Sequence, residues 1–250
     1  MTNVLVCVKR VPDVSGDIAL TADGQGVDAR HVGFTISDHE ACAVELAVRI
    51  ATATEGTATV ATIGTAEAVE QLRNALAIGC TAATHIVADP ATLGPADVAR
   101  ELAAVAHDHD LVLLGNDAAD SGDFQVGIRL AYELGRPVVN GVSTVEVEGG
   151  RLVARGEGPD GHETFRLPPP AVVTILEGGV EPRYPSVPGR MKAKKVAIDE
   201  RQLTAEPAGP QRVGYSLPPP VSSDVQILGE GAAAAPAVVD LFERIGVISR

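Results

Sequence analysis

The chain has 250 residues, 45% of them hydrophobic and 3% aromatic, with a formal net charge of −13. That length buries one large core, or a core with an appendage, and the acidic balance argues against nucleic acid as a partner, whose phosphates bind through neutralising Lys and Arg. No apolar run reaches the ~18 residues of a membrane span, and in the opening "MTNVLVCVKRVPD" the apolar residues precede the basic ones with no cleavage-type site behind them.

The expectation is a cytoplasmic chain that is not integral to a membrane. Cys7, Cys42 and Cys80 lack any C-x-x-C spacing, which fits reduced thiols in the core.

In chain order, Val4 to Val8 forms the first strand, a continuous apolar run. The first helix opens at Ser37, with Glu40 three residues on in capping-box spacing; Cys42, Leu46 and Ile50 stack on one face, and Glu45 pairs with Arg49. Thr57 to Ile63 is the second strand. A helix from Ala66 to Ile78 turns Val69, Leu72 and Leu76 inward and stops at Gly79. His85 to Val87 follows as a strand, and Pro95 opens a helix that buries Val98, Leu102 and Val105. Leu111 to Leu114, a helix from Phe124 to Leu134 ended by Gly135, and a strand at Val138 to Val139 complete the alternation.

Strands alternating with helices predict right-handed crossovers and a doubly wound, mostly parallel α/β sheet. With the strand order 3-2-1-4-5, the ligand crevice falls between Cys7–Arg10 and Gly115–Gly127, outside the strand ends where the order reverses. Beyond Val139 the pattern changes to antiparallel strands turning at Gly149-Gly150 and at Gly158–Gly161. A Pro-rich and basic stretch comes next. From Thr204 to Ala234 the chain is Pro/Gly/Ala-rich and nonperiodic, and it ends in a short amphipathic helix carrying Val238, Leu241, Phe242 and Ile245. A tether of ~30 residues reaches up to roughly 100 Å, which predicts that this helix packs on another chain. The organisation expected is a domain over residues 1–200, with the antiparallel extension and basic segment inside 141–200, and a C-terminal arm over residues 201–250.

Two segments carry chemistry. In "LVLLGNDAADSGDFQVG", Gly115, Ser121, Gly122 and Gly127 let a ligand approach main-chain amides at a helix start, the arrangement that binds phosphate. The aspartates cannot hold phosphate; Asp120 or Asp123 would cap the helix or accept from ribose hydroxyls or an adenine amino group. An acidic surface loop with a capping Asp explains the same residues. Asp117, Asp120 and Asp123 recur every three residues, which is not the spacing of a calcium loop. The second segment is basic, with Arg183, Arg190, Lys192, Lys194 and Lys195 crowded into 13 positions; it suits an acidic partner or an anion, or else a solvated loop.

"GEGPDG", Gly156 to Gly161, satisfies a dinucleotide spacing formally, but holds Pro and no following helix, so it reads as a hairpin turn. "HDHD", His107 to Asp110, falls where a helix ends, which explains its histidines better than a metal. No spacing forms a Ser-His-Asp or paired-carboxylate constellation.

The residues then resemble a known family. "VLVCVKRVPD", "AVELAVRI", "LRNALAIG", "DLVLLGNDAAD" with "QVG", "FRLPPPAVVTI", "EPRYPSVPGRMKAKK", "GPQR" and a terminal "IGVI" are collinear over nearly the whole chain, and they resemble the beta subunit of electron transfer flavoprotein. The resemblance implies an electron carrier that takes electrons from flavin dehydrogenases of the acyl-CoA dehydrogenase type and passes them to a downstream acceptor. It implies a heterodimer with an alpha subunit that holds most of the FAD, the redox chemistry residing on the flavin. The beta chain then holds AMP, or a second FAD in the electron-bifurcating branch that uses NADH, which "QVG" resembles. Carried over, the nucleotide contacts are Cys7, Ser37, Asp38, His39, Glu40, Ile63, Gly115, Asn116, Asp117, Ala118, Asp120, Ser121, Gly122, Asp123, Phe124, Gln125, Val126 and Gly127. The segment after "PRY" is implied to dock flavin dehydrogenases through Val187, Pro188, Arg190, Met191, Lys192, Lys194 and Lys195.

Two places depart from the family. Ser37-Asp38-His39 stands where Asn-Pro-Phe is frequent, placing His39 where an aromatic faces the flavin, and Arg155-Gly156-Glu157 carries an extra residue after the strand. A stand-alone adenine-nucleotide sensor is the reading from another class, and it leaves the tethered helix and the basic segment without a role.

Overall fold

The computed structural model describes residues 1–13, 16, 18–30, 32–210, 212–219 and 225–248. Its contacts divide into two units, Met1–Tyr215 and Ser216–Arg250.

In the first unit the chain runs through β1 (Val4–Cys7), β2 (Val11–Pro12), β3 (Phe34–Thr35), α1 (Asp38–Ala53), β4 (Ala58–Gly64), α2 (Val69–Ile78), β5 (Ala82–Val87), α3 (Pro95–Ala106), β6 (Leu111–Gly115), α4 (Val126–Leu134) and β7 (Val138–Val142). It continues through β8 (Thr144–Glu148), β9 (Arg151–Gly158), β10 (Gly161–Leu167), β11 (Ala171–Ile175), α5 (Val187–Ala193) and β12 (Ile198–Gln202). Seven strands form one parallel sheet in the order β12-β5-β4-β1-β6-β11-β7. Alternate side chains of β1 feed two cores. Val4 and Val6 pack with α1, α2 and Ala193 of α5, while Leu5 and Cys7 pack with α3 and α4. All four residues of β1 are buried, as expected of a strand covered on both faces.

The expected strand order is interrupted once. β11 lies between β6 and β7, so "AVVTI" is a parallel central strand and not part of the antiparallel extension. Its five residues are all buried; a continuous apolar run marks a strand covered on both faces, where an extension strand would alternate. β12 adds an edge strand whose residues are mostly exposed and polar, so periodicity gives no sign of it. The second helix starts later than expected, after a one-turn 3-10 segment at Ala66–Ala68, and α4 starts at Val126 rather than Phe124.

β8, β9 and β10 form a separate antiparallel sheet. Gly149 and Gly150 both take positive φ, 57° and 80°, the conformation of the favoured two-residue hairpin turn. "GEGPDG" is the β9–β10 turn, as expected.

In the second unit a 3-10 turn at Gly231–Ala234 leads into α6 (Ala235–Arg244), which has no buried residue. The expected tether is described only in part, since residues 211 and 220–224 lie outside the described residues.

Candidate nucleotide site

β1 and β6 are sheet neighbours, with Cys7 opposite Leu114. Beyond β1 the chain enters α1 on one face, and beyond β6 it enters α4 on the other. The divergence opens a cleft above both strand tips. Its empty space is about 860 Å³, open mouth included.

Main chain shapes this cleft. At Gly115 a Cβ would stand 2.8 Å from Glu40 Cγ and 3.1 Å from Glu40 N, so only glycine lets the end of β6 pass the first turn of α1. Gly127 meets β11 in the same way, 2.3 Å from Thr174 Cγ2. Between them the amides of Ser121 and Gly122 both bond the carbonyl of Ala118, at 3.1 and 2.9 Å. Gly122 and Phe124 take φ of 58° and 55°, and Phe124 leaves its ring 51% exposed at the cleft. A bulky residue at positive φ is uncommon, and such positions gather at functional loops.

Neither Asp120 nor Asp123 caps α4. The N-cap is Gln125, which makes no side-chain capping bond, and Val126 and Gly127 of the uncapped first turn line the cleft. Asp120 turns instead to Lys9, with Nζ 2.6 Å from Oδ1. The opposite charge at the tip of β1 is near enough to take this carboxylate, and capping loses.

Glu40 forms part of the cleft wall and is 5% exposed. Ser37 and Glu40 complete the expected capping box: Ser37 Oγ accepts from Glu40 N at 3.2 Å, and Glu40 Oε2 accepts from Ser37 N at 2.9 Å. Glu40 Oε1 also accepts from Lys9 N at 2.7 Å. Burial pushes the Glu40 carboxyl up to about 7 despite these donors. The Cys7 thiol, buried and next to Glu40, is pushed up to about 12, which makes it a packing group and not a nucleophile. His39 sits between two carboxylates. Its Nδ1 is 2.8 Å from Asp117 Oδ1, an ion-pair distance without hydrogen-bond direction, and its Nε2 contacts Glu177 Oε2. Behind the loop, Gly141 N donates to Thr174 Oγ1 at 2.8 Å, and that hydroxyl lies 2.8 Å from both Asn116 Oδ1 and Asn140 Oδ1.

Of the residues implied by resemblance, the cleft wall gathers Cys7, Glu40, Ile63, Gly115, Asn116, Asp117, Ala118, Ser121, Asp123, Phe124, Gln125, Val126 and Gly127. Ser37, Asp38 and His39 stand behind it at the start of α1, Gly122 shapes the turn, and Asp120 faces a second cleft. That neighbouring cleft shares Lys9, Ile63 and Pro90 with the first, and adds Arg10, stacked 3.5 Å from the Phe34 ring centroid, together with Arg212 and Tyr215.

Pro90, Leu93, Pro95, Val98 and Leu102, of which no ligand contact is expected from sequence, also line the first cleft, as does Lys9, which falls inside the expected crevice without a role of its own. Val98 and Leu102 were assigned wholly to the core; helical spacing identifies an apolar face but not which part of it a ligand meets. Lys9 is next but one to Cys7 in the expected crevice, and a cation beside an acidic loop is the signal that would have found it.

The basic segment is a short helix and not the loop expected. Ser186 caps α5 by accepting from Gly189 N at 3.1 Å, and Pro188 sits in its first turn. Tyr184, Val187 and Met191 are 94%, 76% and 57% exposed. Arg190, Lys192, Lys194 and Lys195 surround them, also exposed. Arg183 does not belong to this free patch, since its guanidinium is committed to buried Glu45.

Residues 25–206 match the family model described as the electron transfer flavoprotein domain. The chain belongs to the electron transfer flavoprotein family. Curated beta subunits of electron transfer flavoprotein are similar over most of their length. The chain is 33% identical to that of Syntrophomonas wolfei over 236 residues, 93% of this chain and 92% of the relative. It is 36% identical to that of Bradyrhizobium diazoefficiens over 203 residues (80% and 81%), and 40% identical to the human one over 202 residues (78% and 79%). Its function is accordingly that of an electron transfer flavoprotein beta subunit. The matched family region contains the α1 turn, the loop from Gly115 to Gly127 and α5, while β1 lies ahead of it. Among the described residues of this beta chain no helix is long and apolar enough to cross a membrane, and no His/Cys/Asp/Glu group is arranged to hold a metal.

Proposed function

We propose that the cleft above β1 and β6 holds AMP as a structural nucleotide, in a heterodimer with an alpha subunit that carries most of the FAD. The observation that carries this reading is the uncapped start of α4, whose Val126 and Gly127 line one cleft together with Cys7 and Lys9 at the tip of β1. Free amides at a helix start suit a phosphate dianion. The Lys9–Asp120 pair cancels one loop charge that would repel it. The apolar wall of Leu93, Val98 and Leu102 suits a base, and Asp117 and Asp123 are acceptors for ribose or amino hydrogens.

FAD, when bound, supplies the redox chemistry. This chain's residues hold and orient: α1 and the loop after β6 fix the nucleotide, and His39, held between Asp117 and Glu177, is set to face the flavin side. The second unit, Ser216–Arg250, acts as an arm on the alpha subunit, shorter than the arm over residues 201–250 expected because the chain up to Tyr215 belongs to the first unit; it is supported by α6, which buries nothing within its own unit, and by exposed Ile227, Ile245 and Val247. The helix α5 docks a flavin dehydrogenase whose rim is acidic, with Val187 as the apolar anchor inside a basic surround.

A second reading, two FAD per heterodimer with NADH as donor, is favoured by the neighbouring cleft, whose shared Lys9, Ile63 and Pro90 make room for a longer nucleotide. Denaturing the co-expressed heterodimer and quantifying the released nucleotides separates the two. One FAD and one AMP is expected; two FAD supports the second reading. A colourless chain that recovers no partner subunit overturns both.

A further inference from the structure

α5 is too short to stand alone. Its seven residues are about half of what an isolated helix needs to persist in water, so its order comes from tertiary contacts. Its large apolar side chains do not supply them, because Val187 and Met191 point outward. The side that meets the protein consists of Ala193, 2% exposed, and Gly189, so close to α2 that a Cβ would lie 2.3 Å from the carbonyl oxygen of Ala77. A glycine and an alanine bury little apolar surface.

Polar clamps do the holding. On α2, Arg73 Nη1 donates to the carbonyl oxygens of Ala193 at 2.5 Å and Val196 at 2.6 Å. These carbonyls lie in the last turn of α5 and the turn after it, where positive charge is favoured; that of Ala193 accepts from Val196 N at 3.3 Å as well. Upstream, Arg183 forms a two-pronged bond to Glu45 of α1, at 2.7 and 2.6 Å. The helix is thus fastened before its start and at its end, with its apolar anchor and basic rim left free.

We infer that Arg73 is a positioning residue for the encounter with the electron donor: it meets no partner itself, and holds α5 in the shape the partner recognises. This rests on the reading of α5 as the docking helix. With the helix held beforehand, docking does not have to order it, and that ordering cost otherwise subtracts from affinity.

The test uses the assembled, FAD-loaded heterodimer, with an acyl-CoA dehydrogenase reduced by its substrate as donor. Arg73→Ala, which loses both hydrogen bonds, is expected to raise the KM for the dehydrogenase at least about tenfold, with kcat, FAD content and AMP content unchanged. Arg73→Lys should recover part of the loss, because an ammonium reaches carbonyls one at a time. Hydrogen exchange of amides 190–196 should accelerate in Arg73→Ala ahead of the sheet. The inference is overturned if exchange and KM both stay at the wild-type value while Val187→Asp raises KM, or if Arg73→Ala lowers FAD content and kcat along with affinity. If Val187→Asp itself leaves KM unchanged, the docking reading fails instead.

Discussion

Asp97 offers the sharpest test of how the chain after β12 is fastened beside the cleft. It is 1% exposed in the first turn of α3. Its Oδ1 accepts from Ala208 N at 2.9 Å and Arg100 Nη2 at 3.0 Å, and its Oδ2 accepts from Gly209 N at 2.9 Å and Gly94 N at 3.1 Å. One turn on, Glu101 accepts from Thr204 N at 2.8 Å and from its hydroxyl at 2.9 Å. The strap over 204–209 is thereby stitched to the helix whose Pro95 and Val98 line the nucleotide cleft. Led by the bond from Ala208, these donors hold the Asp97 carboxyl at about 2, against 3.8 when unfolded. At ~1.4 kcal/mol per pKa unit, that difference is worth about 2 kcal/mol. Because the folded pKa is the lower one, this stability is complete above about pH 5 and is lost as pH falls through 3.8 toward 2. Asp97→Asn should therefore cost at least about 2 kcal/mol at pH 7 in urea unfolding, with the gap to wild type closing below pH 4. A gap that stays constant from pH 6 to pH 3, or one under ~0.5 kcal/mol at pH 7, would refute the assignment.

Three further outcomes concern the cleft. Gly115→Val places a side chain against Glu40, 2.8 Å from its Cγ, and should reduce the AMP recovered per heterodimer at least ~10-fold; full recovery by chromatography would show that the nucleotide lies elsewhere. Glu40, raised to about 7 from 4.5, is neutral in the fold while ionised in the unfolded chain across that window, so stability should fall as pH rises from 4.5 to 7. Above pH 7 its charge faces the phosphate; AMP affinity of the stripped heterodimer should weaken between pH 6 and 8, and Glu40→Gln should flatten both slopes, an unchanged profile counting against a role for this carboxyl. Lys9→Ala leaves Asp120 uncompensated and should weaken AMP binding about tenfold by calorimetry, whereas Asp120→Asn frees Lys9 and should not weaken it; the reverse ranking would contradict the charge argument.

Much of the fold was legible because its signals are local and periodic. Ser37 with Glu40 announces a capped helix, Gly79 and Gly135 end helices, and Gly149-Gly150 forms a hairpin, each through the backbone preference of a few neighbouring residues. β11 was misplaced because pairing partners are not local: "AVVTI" follows a hairpin in sequence, yet its neighbours in the sheet are β6 and β7. α5 is hard to see in sequence because Pro188 and Gly189 lie inside it; the first sits harmlessly in the opening turn, and the second is required by the approach to Ala77. The crevice followed from strand order, but its charge balance did not. Only the fold brings Lys9 to Asp120 across 111 residues of chain and turns the expected helix cap into an ion pair.

The same distinction bears on how this site is best probed. On the proposed reading phosphate meets main chain here, and the polar side chains nearby mostly serve one another: Ser37 with Glu40, Lys9 with Asp120, Thr174 with Asn116. Truncating Ser121 removes no amide from the cleft, so alanine at this position would report a small effect and suggest an idle residue. Adding atoms is the informative perturbation. At Gly115 and Gly127 a single extra carbon meets the side chains of Glu40 and Thr174 at 2.8 and 2.3 Å, so either those side chains or the loop must shift. A site of this kind is identified by the positions that refuse a side chain, which is also why a sequence so poor in catalytic constellations still encodes a binding function.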